Sequence, residues 1–195
     1  MAGRCKAGVE PDGSGASGGT RGAARSAIAG DMTLYSAPFD SPVGTLTLVA
    51  DDAGLIAILW PDDAPGRVRL EDARDDAAHP VLSATAAQLA EYFAGGRTAF
   101  DLPLAPRGSD FQRAVWRALD TIPFGETRSY ADIARAIGRP GAARAVGAAN
   151  GRNPISIVTP CHRVVGTSGA LTGFAGGLAT KRWLLAWEAR GAAIA

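Results

Sequence analysis

One short segment carries the residue types that nucleophilic chemistry needs. Residues 155–165, Ile155-Ser156-Ile157-Val158-Thr159-Pro160-Cys161-His162-Arg163-Val164-Val165, set a thiol beside an imidazole directly after an apolar run that should be buried. Thiolate is the reactive form of cysteine, and a neighbouring histidine, or a water held by it, can accept the proton. Read alone, the pair fits equally well an inert buried cysteine next to a partly exposed histidine. The only other cysteine is Cys5, in a segment of different character, so neither a disulfide scaffold nor a four-ligand zinc site is expected. The thiol is left available, and neither a metal nor a cofactor is expected.

The elements that must position this segment follow from patterning. Residues 1–31 are rich in Gly, Ala, Ser and Arg with almost no large apolar side chain, and are read as a disordered tail. Strand-like stretches follow at 34–39, 45–49 and 55–59, the first two joined by the turn Asp40-Ser41-Pro42-Val43-Gly44, which makes a small antiparallel sheet. Residues 61–80 are crowded with Asp and Pro and read as a loop. Helical spacing over 84–93, with Leu89, Tyr92 and Phe93 on one side and Gly95-Gly96 as a stop, completes an N-terminal α/β unit, residues 32–104.

Beyond the linker Ala105-Pro106-Arg107-Gly108 the pattern turns helical. Ser109 with Gln112, and Ser129 with Asp132, have capping-box spacing, predicting helices that end near Pro123 and at Ile137. After the turn Gly138-Arg139-Pro140-Gly141, residues 142–151 form a third helix built mainly from Ala and Gly. Two helices about a short Gly-containing turn outline a helix-turn-helix. An irregular Gly-rich stretch, 166–177, precedes a last helix over 181–190 whose buried face carries Trp183, Leu184 and Trp187. The fold class expected is α+β: a sheet-plus-helix unit, then a mainly helical unit over residues 105–195.

The net charge of +1 conceals a division, with +2 over residues 1–30, −8 over 31–106 and +7 over 107–195. The C-terminal part alone looks like a polyanion binder. Attraction between the two halves across an internal interface would account for the same asymmetry. No stretch of eighteen apolar residues and no apolar signal core is present, which points to a cytoplasmic protein.

Four motifs in order carry a resemblance: Gly125-Glu126-Thr127-Arg128-Ser129-Tyr130, then Ala142-Ala143-Arg144-Ala145-Val146-Gly147 running to Asn150-Gly151-Arg152-Asn153-Pro154, then Pro160-Cys161-His162-Arg163-Val164, then Leu171-Thr172-Gly173-Phe174-Ala175-Gly176-Gly177. Residues 109–190 resemble the catalytic domain of O6-alkylguanine-DNA alkyltransferases, the methylated-DNA protein-cysteine methyltransferases, and the N-terminal unit is similar to that family's first domain. The resemblance implies that Cys161 accepts the alkyl group irreversibly from O6-alkylguanine, leaving O4-alkylthymine open as a second substrate. A thioether has no easy hydrolytic exit, so each molecule would act once.

It further implies that His162 relays the thiol proton through a water, that Glu188 holds the imidazole, and that Asn153 braces the turn before the active-site segment. Tyr130 would stabilise charge developing on the leaving base. The base pocket would be formed by Tyr130, Val164, Phe174 and Ala175, with Phe174 where the family often has tyrosine. The partner implied is alkylated double-stranded DNA, bound in the minor groove by a monomer. Arg144 would take the place of the flipped-out base, at a flipping cost of a few kcal/mol, roughly.

A clad helix is about 10 Å across against a groove of about 6 Å, so small residues are needed on the inserted face. Gly147, Ala148, Ala149 and Gly151 would supply it, although close packing inside the protein explains some of them equally well, and Ala143 would also lie at the DNA. Arg128, Arg135, Arg139 and Arg152 would steer binding through phosphates. A damage-recognition module, a thiol hydrolase and a plain helix-turn-helix regulator are the rival readings. Cys161 speaks against the first, the helix-turn-helix against the second, and the Pro-Cys-His-Arg segment against the third.

Overall fold

The computed structural model describes residues 33–192 apart from 65, 69 and 71; the expected tail lies outside the described residues. Strands β1 (Leu34–Ser41), β2 (Gly44–Asp51) and β3 (Gly54–Leu59) form antiparallel neighbours, and β4 (Ala73–Asp75) adds in parallel to β1, giving the order β3-β2-β1-β4. The strand pair over the turn at 41–44 closes in the expected place, with Gly44 at φ +108°. Helix α1 (Pro80–Phe93) lies on one sheet face, where Leu46, Leu48, Leu82, Leu89 and Tyr92 are buried together.

Two expectations are corrected here. The stretch read as a loop contains β4, three residues too few to show a period of two against a background of Asp and Arg. The helix begins at Pro80, four residues ahead of Ala84. Proline at the first helical position forfeits only an N–H that has no intrahelical partner anyway, so it starts this helix and does not exclude it.

The edge strand β3 is covered by chain from further along. Leu55 N–H donates to the Pro103 carbonyl at 2.7 Å and Ala105 N–H returns to the Leu55 carbonyl at 2.9 Å. Gly54 makes this approach possible: a Cβ there would sit 2.5 Å from the Pro103 oxygen. Further along the same strand, Ile58 N–H donates to the Pro154 carbonyl at 2.9 Å and Ile58 pairs with Ile155. The segment leading to Cys161 is thus stitched to the sheet, which also removes a free edge.

Helices α2 (Asp110–Leu119) and α3 (Tyr130–Ala136) both start with the expected reciprocal capping boxes, Ser109 with Gln112 and Ser129 with Asp132. Helix α4 (Ala143–Gly151) follows the turn, and α5 (Gly177–Ala192) starts four residues before Lys181. Val115, Trp116, Leu119, Ile133, Val146 and Ala149 from α2, α3 and α4 pack into a second core that also contains Cys161 and Val164. Two-residue strands β5 (Arg128–Ser129) and β6 (Val164–Val165), too short to announce themselves in sequence, pair in parallel and tie the start of α3 to the end of the Cys161 segment.

Candidate active site

Cys161 opens a single 3-10 turn, Cys161–Arg163, and is 3% exposed. The backbone leading to it is forced into a tight course. Asn153 accepts from Ile155 N–H at 3.1 Å and donates through Nδ2 to the Thr159 carbonyl at 2.8 Å, clamping both ends of the loop. Between them Ile157 adopts φ +75°, a region that β-branched residues rarely occupy and that only such bracing maintains. Asn150, on the last turns of α4, donates to the Cys161 carbonyl at 3.3 Å and so connects the helix-turn-helix directly to the thiol's backbone.

His162 and Glu188 are both fully buried, with Nε2 of the imidazole 2.8 Å from Glu188 Oε1. A carboxylate accepts, so Nε2 carries the hydrogen and Nδ1 is left as an acceptor, with no protein partner among the described residues. Glu188 also accepts from Tyr92 Oη at 2.8 Å, from Arg163 Nε at 2.8 Å and Nη2 at 3.0 Å, and from Gly125 N–H at 3.2 Å. Burial raises its pKa, but the hydrogen bonds and charges of His162 and Arg163 outweigh this and hold it at about 2. Burial holds His162 below its ordinary value against the pull of Glu188. Burial likewise pushes the Cys161 thiol up, while Asn153, Ser156, Arg67 and Lys181 favour the thiolate.

A cavity of about 860 Å³ opens beside this cluster. Tyr130 and Phe174 line it and also pack on the core that contains Cys161. Ala143, Arg144, Gly147, Gly151 and Arg152 border it from α4 and its end, with Ala175 from the Gly-rich loop. Tyr130 Oη accepts from Thr172 Oγ1 at 3.0 Å, so the phenolic hydrogen is free to point elsewhere. Val164 is fully buried in β6, and its carbonyl accepts from Lys181 Nζ at 2.6 Å. Lys181 donates also to Thr172 O at 2.9 Å, pinning the Gly-rich loop against the segment that holds Cys161.

The α4 face divides. Arg144, Ala148, Gly151 and Arg152 are exposed, whereas Ala149, expected on the slim outer face, is buried with its carbonyl bonded to Trp116 Nε1 at 2.9 Å. Its small size serves packing. Among the described residues Arg144 and Arg152 make no salt bridge, but Arg128 pairs with Glu126 at 2.8 Å, Arg135 pairs with Asp132, and Arg139 lies over the Phe111 ring. Sequence reasoning did not single out Arg163, Tyr92 or Lys181 as parts of the site. Nor did it find Arg67, which reaches from the loop after β3 to bond the Asn153 and Ile58 carbonyls and border the cavity. Arg163 lay inside a quoted motif, so the signal was present; the others are brought in by tertiary contacts alone.

Residues 110–190 match the family model for the 6-O-methylguanine DNA methyltransferase DNA binding domain, and residues 33–106 match that for its ribonuclease-like domain. The methylated-DNA--protein-cysteine methyltransferase of Mycolicibacterium paratuberculosis is 54% identical over 154 residues, covering 77% of this chain and 90% of that protein. That of Methanosarcina acetivorans is 46% identical over 156 residues, covering 80% and 98%. The crystal structure of Mycobacterium tuberculosis OGT in complex with DNA is similar at a TM-score of 0.73 and 47% identity, covering 82% of this chain and 94% of the other.

Proposed function

The chain belongs to the 6-O-methylguanine DNA methyltransferase family, and from that membership we propose that it repairs alkylated double-stranded DNA by direct reversal, using Cys161 once as the acceptor. The observation that carries this reading is the buried series Cys161, His162, Glu188 next to a cavity walled by Tyr130 and Phe174 and bordered by α4. Cys161 Sγ forms a bond to the alkyl carbon as the bond from that carbon to guanine O6 breaks. The thiol proton passes, through a water, to His162 Nδ1, and the imidazolium is stabilised by the Glu188 carboxylate.

The leaving base carries the displaced electron pair. Tyr130, whose oxygen is already occupied as an acceptor from Thr172, has its hydrogen available for the base and so offsets that charge. Arg144 and Arg152, unpaired by carboxylates among the described residues, are the basic groups best placed to meet a phosphate backbone or fill a vacated stack, while Ala143, Gly147, Ala148 and Gly151 leave room for the groove. Arg128 serves after release from Glu126. Ala175 and backbone groups near Val164 bound the base.

Residues 105–195 carry chemistry and DNA contact, and residues 32–104 back the active-site segment. All these groups come from one chain, so a monomer suffices. The acceptor thiol needs a reducing compartment, and the cytoplasm is the location that this reading implies. No helix among the described residues is long and apolar enough to cross a membrane.

Intact and peptide mass spectrometry after mixing the protein with a stoichiometric duplex containing one O6-methylguanine tests the reading. Gain of one CH2 unit on the peptide that contains Cys161, with guanine restored, is the expected outcome. Tight lesion binding without a mass gain would replace it with damage recognition alone.

A further inference from the structure

We propose that Tyr92, on α1 of the N-terminal unit, is a positioning residue that moderates the hold of Glu188 on His162 by competing for the same carboxylate oxygen. The inference rests on the alkyl-transfer reading and adds to the Cys161–His162–Glu188 series a group from the other half of the chain. Glu188 Oε1 accepts from Tyr92 Oη at 2.8 Å, from His162 Nε2 at 2.8 Å and from Arg163 Nη2 at 3.0 Å. A carboxylate oxygen offers about two lone-pair sites, so three donors exceed its capacity and each weakens the bonds of the others. The second oxygen gives no relief, because Oε2 already accepts from Arg163 Nε at 2.8 Å and from Gly125 N–H at 3.2 Å.

The competing donors are held in place. Tyr92 is fully buried, with Phe93, Phe100 and Phe124 around its ring at centroid distances of 5.1, 5.6 and 6.1 Å. Its backbone carbonyl accepts at 3.3 Å from the indole of Trp187, the residue before Glu188, so α1 and α5 are fastened next to the shared oxygen. Arg163 is fixed by its Nη1, which donates to the Ile122 carbonyl at 2.6 Å. Burial and the neighbouring carboxylate hold the Tyr92 phenol above its ordinary range, so it keeps its proton and remains a donor. The more of Oε1 that Tyr92 occupies, the less the carboxylate favours the imidazolium that forms when His162 Nδ1 takes the thiol proton. Besides Glu188, the charged groups that act on His162 are Arg163 of the same turn and Lys181 of α5; these and the adjacent Cys161 are unaltered in the variants below.

The chain has two histidines, so isotope labelling of histidine lets NMR follow each imidazole against pH on the full chain. His79, stacked on Tyr35 at 4.4 Å in the sheet unit, serves as the internal reference. In Tyr92→Phe, which keeps the ring and removes the donor, the His162 titration should move up by about half a pH unit while that of His79 stays in place. Single-turnover transfer from a duplex with one O6-methylguanine at about pH 8 should rise, by up to about threefold, since the thiol proton passes to a stronger base. A ring-fluorinated tyrosine at position 92, a stronger donor of nearly the same shape, should move the His162 titration down. An unmoved titration in either variant, or a downward move in Tyr92→Phe, would overturn the proposal; a lowered Tm with no such shift would make Tyr92 a packing residue alone. If the parent protein accepts no methyl group while both titrations move as expected, the functional reading fails and the competition at Glu188 stands.

Discussion

Five donors converge on the Glu188 carboxylate, two of them from an Arg163 that is 5% exposed, so removing its charge leaves a buried guanidinium uncompensated. Glu188→Gln should therefore cost about 3–5 kcal/mol of stability, read from urea unfolding near neutral pH. Its pH signature is separable. The carboxyl is held at about 2 in the native state against 4.5 ordinarily, so its stabilisation is complete above pH 4.5 and is lost as pH falls toward 2. At roughly 1.4 kcal/mol per pH unit this amounts to about 3 kcal/mol. His162 acts in the same direction: burial holds it below its ordinary value in the native state, so the unfolded chain takes up protons first and stability erodes as pH falls below 6.5. The parent should thus weaken from pH 6.5 downward and more steeply below 4.5, and Glu188→Gln should lack the steeper step. An identical acid step in the variant would show that Glu188 is not its source.

At the scale of elements, α4 is where packing and function compete for the same small residues. Val146, Ala149 and Asn150 turn inward, and Arg144, Ala148 and Gly151 turn out. That division follows helical geometry, in which positions three and four apart share a face. The exposed edge is the one with room to approach a groove. Arg144→Ala should slow methyl transfer from duplex DNA about tenfold, equivalent to about 1.4 kcal/mol of barrier. Reaction with free O6-methylguanine base should stay unchanged, because no base has to be extruded. Single-turnover assays on both substrates decide it, and equal losses would remove Arg144 from any part in flipping. The capping boxes at Ser109 and Ser129 were legible in sequence because they are local, whereas β4, β5 and β6 were not, because short strands exist only by virtue of the chain they pair with.

For the whole molecule, Cys161 sits inside a core and not on a surface, in a cluster with Val115, Leu119, Val146 and Val164. A methyl added to Cys161 must be accommodated by close-packed neighbours, so the alkylated protein should be less stable by roughly 1–3 kcal/mol. For a chain of this size each kcal/mol corresponds to about 2–4 °C in Tm. Calorimetry before and after reaction checks this, and an unchanged Tm would mean that the surroundings of the thiol are looser than their burial implies. The sequence by itself pointed to Cys161 and His162 as the reactive pair, outlined the helix-turn-helix and carried the resemblance to the family. These are carried by contiguous motifs and by periodicities that a linear chain displays directly. Only the tertiary structure decided that Glu188 is a fully buried hub joined by Tyr92 and Arg163, and that Lys181 binds the Gly-rich loop to Val164. It also decided that Trp60 and Arg67 of the sheet unit reach the segment around Cys161. Those partners are separated by up to 96 residues and share no local pattern. Burial and hydrogen-bond satisfaction select them, and neither property exists until the chain has folded.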